Sequence, residues 1–129
     1  MRQTLVVVCV AVLLGLSTGA FALDKPTISM PRNGDALGPS YDITGHMPQR
    51  AFLVVMTDVV RADTGEVLRS VPGIRHWTEA DGTFRFRCAS PRISIGERDT
   101  PLTYRIRCFE VAPNGAMGPE AIVTCRMAR

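Results

Sequence analysis

The chain has 129 residues, with 15 Lys and Arg against 12 Asp and Glu for a formal charge of +3. That length suits one domain with one core. So small a positive excess gives no electrostatic case for nucleic acid as a partner.

Met1-Arg2 supplies a short positive start, and residues 5–16 form an apolar run broken only by Gly15. Ser17-Thr18-Gly19 then leads into Ala20-Phe21-Ala22, the small-x-small pattern of a signal peptidase site. The run is short for a bilayer span, which needs about 20 apolar residues. The pattern predicts a cleaved secretory signal over residues 1–22, no transmembrane segment after cleavage, and a secreted or periplasmic domain over residues 23–129. Cys9 lies in mid-run, away from any lipoprotein-type triplet, and leaves with the leader.

Residues 25–31 read as a first short strand bounded by prolines, followed by a turn-rich loop from Asn33 to Pro39. Residues 41–45 form a second strand ended by Gly45. Residues 52–60 (FLVVMTDVV) are almost continuously apolar and β-branched, which predicts a central strand covered on both sides. Arg61 to Gly65 is a hairpin loop into residues 66–71, where Pro72-Gly73 is expected to close the strand. Residues 74–79 carry Arg75, His76 and Trp77 towards an Asp81-Gly82 turn.

That turn opens into strict alternation. Phe84, Phe86 and Cys88 fall on one side, Thr83, Arg85 and Arg87 on the other. A period of two places one face inside and one in water. Residues 102–111 alternate again, and after the Pro113-Asn114-Gly115 turn residues 121–127 form the last strand. About seven short strands separated by turn signals predict an all-β, immunoglobulin-like antiparallel sandwich.

Four segments then resemble bacterial Ig-like domains, modules of secreted and surface proteins. They are P-T-I-S-x-P-x-x-G at Pro26 to Gly34, I-T-G at Ile43 to Gly45, D-G-T-F-R-F at Asp81 to Phe86, and A-P-N-G-A-M-G at Ala112 to Gly118. The resemblance implies adhesion, spacing or ligand presentation, with no catalytic residues to transfer. The chain departs from that pattern in its three cysteines beyond the leader.

Those cysteines, in an oxidising compartment, are expected to pair. Cys88, Cys108 and Cys125 all alternate onto the core face, and a hairpin turning near residues 115–117 brings Cys108 level with Cys125. Cys108–Cys125 is therefore the expected bond, with Cys88 paired to either as the rival and the third thiol left in the core. No CxxC spacing supports a thiolate metal site.

Two clusters are candidate binding residues. Arg75, His76 and Trp77 put an indole beside donors, suited to stacking on a sugar or anchoring a partner, unless Trp77 folds over the core edge. Arg105, Arg107 and Arg126 fall on the outer face of one sheet, where guanidinium groups could grip an anionic envelope polymer, or be no more than solvated strand face. Arg85 and Arg87 face outward on the other sheet.

His46, Met47, His76, Met30, Met56 and Met117 lack the clustered spacing of a copper site, so neither metal nor cofactor is expected. Asp63-Thr64-Gly65 matches the tripeptide of retroviral-type aspartic proteases, but its flanks read as a polar hairpin tip. The sequence thus predicts no enzyme but an exported binding or adhesion module. Its expected partner is cell-envelope polysaccharide or an exported protein. A small secreted enzyme inhibitor is the alternative, and an aspartic-type hydrolase a remote one.

Overall fold

The computed structural model describes residues 23–128, so the predicted leader lies outside the described residues. Eight strands follow in order: β1 (Thr27–Met30), β2 (Ala36–Leu37), β3 (Ser40–His46), β4 (Phe52–Arg61), β5 (Val67–Trp77), β6 (Thr83–Ala89), β7 (Leu102–Glu110) and β8 (Ala121–Met127). A single 3-10 turn, Ile95–Glu97, interrupts the crossing from β6 to β7. β1, β3 and β6 make a three-stranded sheet, and β2, β8, β7, β4 and β5 a five-stranded one. This is the two-layer arrangement of an immunoglobulin-like β-sandwich.

The inner faces are those the alternation predicts. Phe84, Phe86 and Cys88 of β6 are buried against Tyr41 and Ile43 of β3. Across the interlayer lie Leu53, Val55 and Val59 of β4, Tyr104, Ile106 and Cys108 of β7, and Val123 and Cys125 of β8. Polar groups drawn into this layer find partners. The Tyr41 hydroxyl lies 2.7 Å from Thr57 Oγ1, joining the sheets, and the Tyr104 hydroxyl donates to the Pro91 carbonyl at 3.0 Å.

The Asp81-Gly82 turn forms as its composition requires. Gly82 takes φ +91°, and Asp81 Oδ1 accepts from Thr83 N and Thr83 Oγ1 at 3.0 and 2.7 Å. Gly45 serves a different need: a Cβ there would stand 2.0 Å from the Thr27 carbonyl oxygen. No larger residue permits β1 to pair with β3 at this point.

Two expectations about strands are corrected. The stretch expected to be loop from Asn33 to Pro39 contains β2, which pairs in parallel with β8 through Ala36↔Arg126 and Leu37↔Met127. Pro72-Gly73 does not end a strand either. β5 runs through both residues with a register irregularity against Val55 and Met56. It lies at a sheet edge, where a residue without an N–H costs no ladder bond if that position faces outward.

The expected Cys108–Cys125 bond is also corrected. All three cysteines are free thiols, buried in the core. In the β7–β8 hairpin Cys108 faces Ala121 and Cys125 faces Tyr104. The turn is centred nearer Asn114 and Gly115 than residues 115–117, with Gly115 at φ +87°. The two thiols are therefore offset by four positions, about 13 Å along a strand, whereas a disulfide needs Cα atoms within about 7 Å. Cys88 does not pair with either one. It stands opposite Tyr41, and Cys125 Sγ donates to the Arg32 carbonyl at 3.6 Å. Burial pushes the Cys108 thiol up to about 12 and the Cys125 thiol up to about 11.

Candidate functional site

The outer face of the five-stranded sheet is built from cross-strand rows. Trp77 pairs with Phe52, and Arg75 with Val54, which in turn faces Phe109. Next come Met56, Arg107 and Ile122, then Ser70, Asp58, Arg105 and Thr124, and lastly Val60, Thr103 and Arg126. The tertiary structure thus brings most of both candidate clusters onto one surface. His76 is the exception. It pairs with Leu53, and its ring lies 5.8 Å from that of Phe86, in the gap between the edges of β5 and β6. Its Nδ1 donates to the Trp77 carbonyl at 2.7 Å.

The central arginines are committed to their own sheet. Asp58, fully buried although it faces outward, accepts from Ser70 Oγ at 2.6 Å, Arg105 Nε at 2.8 Å and Arg107 Nε at 2.9 Å. Arg107 also reaches Glu120 at 2.9 Å. Burial pushes the Asp58 carboxyl up, but the bonds from Ser70, Arg107 and Arg105 outweigh it and hold it below the ordinary carboxylate value. At the far corner Arg126 Nε donates to the Gly34 carbonyl at 2.9 Å. On the other sheet Arg85 and Arg87 share Asp42 at 3.1 and 3.2 Å.

Uncommitted cationic surface sits instead at the Trp77 end. The indole is 48% exposed and meets the Phe52 ring edge-on, with centroids 5.5 Å apart. The Arg50 guanidinium carbon lies 4.9 Å from the Trp77 ring centre, and that of Arg75 lies 5.9 Å from the Phe52 ring centre. Among the described residues neither arginine has a carboxylate partner within salt-bridge distance. A groove of about 400 Å³ runs beside this pair, walled by Arg50, Phe52, Trp77, Glu110, Pro113 and Asn114. A flat π surface flanked by planar cations can stack on a sugar ring and pair with its acidic substituent.

Sequence reasoning missed Arg50 and Phe52 as parts of this surface and Asp58 as the charge that neutralises its centre. The signal for Asp58 was present. Period two along β4 puts it on the outward side with Val54 and Met56, opposite the arginines of β7.

Asp63 sits at the exposed tip between β4 and β5, where Arg61 donates from Nε and Nη2 at 3.2 and 3.0 Å. Those hydrogen bonds hold its carboxyl below the ordinary value. Such a group keeps its charge in water and is not in the desolvated setting in which two carboxyls share a proton. Met47 is buried and His46 exposed. Among the described residues no group of three His, Cys, Asp or Glu side chains is placed to hold a metal ion. Likewise, no helix among them is long and apolar enough to cross a membrane.

No known protein-family profile matches the chain, and no curated protein matches it. Among solved structures it is similar to the fibronectin(III)-like modules of Clostridium thermocellum CbhA. The TM-score is 0.43 and the sequence identity 15%, over 81% of this chain and 98% of that one. Strand order and register, rather than this likeness, define the fold described above.

Proposed function

We propose that the chain is an exported, non-catalytic binding module of the bacterial Ig-like kind, and that it attaches to acidic polysaccharide of the cell envelope through the Trp77 platform. The observation that carries this is the exposed Trp77 ring seated on half-buried Phe52, with Arg50 and Arg75 beside it and, among the described residues, no carboxylate within salt-bridge distance of either. An aromatic face provides sugar stacking, and two uncommitted guanidiniums provide fork-like pairing with carboxylate or phosphate. Export is supported by the leader pattern of residues 1–22.

The test is affinity electrophoresis of residues 23–129 in gels containing polygalacturonate or neutral dextran. Retardation is expected in polygalacturonate only, and it should fade near 1 M salt, where the screening length falls to about 3 Å. Trp77→Ala and the Arg50→Gln/Arg75→Gln pair should abolish it, while Arg126→Gln should not. Equal retardation in both gels, or retention of binding by Trp77→Ala, overturns the platform. Salt-resistant 1:1 capture of an exported enzyme through Trp77 would replace it with the inhibitor reading.

A further inference from the structure

A second cavity, of about 1170 Å³, lies at the opposite end of the sandwich, where β3 begins and β6 and β8 end. Its inner wall includes Leu37 and Tyr104, both buried, with Ile93 and Met127 packed on the same core. Its frame is tied down at several points. Ser90 Oγ donates to the Gly38 carbonyl at 2.7 Å, Tyr104 donates to Pro91, and Arg69 of β5 bonds both Glu97 and the Arg92 carbonyl.

Arg92 and Arg98 also line this cavity, and both are exposed. Neither side chain has a carboxylate partner among the described residues. The acids nearest in the chain do not cancel them. Glu97 is taken up by Arg69 and by the backbone and hydroxyl of Ser94, and Asp99 does not line the cavity.

An apolar interior with a few placed polar groups is the usual form of a small-molecule site. Among the described residues, the two charged side chains that line the cavity, Arg92 and Arg98, are both positive and exposed to water. We propose that this cavity takes one amphipathic anion, its alkyl chain against Leu37, Ile93, Tyr104 and Met127 and its carboxylate or phosphate between Arg92 and Arg98. A charged head stays hydrated at the rim while the tail leaves water, so both parts of the molecule are favourably placed.

Isothermal titration of residues 23–129 with monomeric dodecanoate, below its micelle concentration, tests this. One saturable site is expected, with dodecyl phosphate binding in the same way. Shortening to decanoate should weaken binding by roughly tenfold, as two methylenes leave the wall. Dodecanol should bind at least about tenfold more weakly, as expected for loss of a charge-assisted pair. Arg92→Gln/Arg98→Gln, two surface changes, should erase the preference for the anion yet keep the weak affinity for the alcohol. Trp77→Ala should leave dodecanoate binding unchanged. No saturable dodecanoate site, equal affinity for the alcohol, or unchanged anion preference in the double variant each overturns the proposal. So does binding confined to phosphatidylglycerol vesicles, which would assign the arginines to a lipid surface.

Discussion

Asp58→Ala is the sharpest test of whether the centre of the five-stranded sheet is a fixed ionic lattice or a row of free arginines. The carboxylate is fully buried and accepts from Ser70, Arg105 and Arg107. Truncation leaves two guanidiniums packed against apolar strand with their shared counter-charge gone. Removing one partner of a buried ion pair costs about 3–5 kcal/mol. The Arg105 and Arg107 side chains are 35% and 23% exposed, so both can take up water, and Arg107 keeps Glu120. The lower end is therefore expected, about 3 kcal/mol. In a domain of this size that lowers Tm by roughly 12–20 °C. Calorimetry at pH 7 measures it, with Asp63→Ala as the comparator because that carboxylate is paired in water and its loss should leave Tm unmoved. A cycle with Arg105→Ala isolates the pairwise part. A fall of less than about 3 °C for Asp58→Ala would refute the lattice and return Arg105 and Arg107 to the pool of groups free to bind.

Gly45→Ala should cost more than the ~1 kcal/mol typical of a buried Ile43→Val, because its Cβ meets the Thr27 carbonyl at 2.0 Å and the Phe84 ring at 2.7 Å. Urea titration ranks the two, and hydrogen exchange should show the β1 amides released first. The side-chain hydrogen bond from Arg69, with those from Ser94, holds the Glu97 carboxyl at about 2 against an ordinary 4.5. A depressed carboxylate stabilises the fold above its unfolded value, and this contribution is lost as pH falls from 4.5 to about 2. Melting curves across that window should fall less steeply for Glu97→Gln than for the parent. Cys88, Cys108 and Cys125 should be silent to Ellman's reagent at pH 8 in the native domain and all three should react in denaturant. A smaller count under non-reducing conditions would show that oxidation has formed a bond.

The layers of this fold were legible because alternation is a local property. Phe84, Phe86 and Cys88 had to share a face whatever they packed against, and Asp81-Gly82 had to turn. The same periodicity placed Arg105 and Arg107 outward. It could not tell what their charge met, since Asp58 lies 47 and 49 residues away in sequence, inside a run legible mainly as apolar. The Trp77 platform was hidden for a related reason. Register irregularities between Val55 and Met56 and between Val59 and Val60 shift the β4–β5 pairing, so counting back from the Arg61–Gly65 tip does not put Trp77 opposite Phe52. The cysteines show the same limit, because their alternation was right and a turn centred slightly earlier set them four positions apart. By itself the sequence determined which residues face in and which face out, since side chains alternate within one strand. Tertiary structure alone decided which residues meet across strands, because bulges, turn centres and a proline tolerated at a sheet edge set a register that no single strand contains.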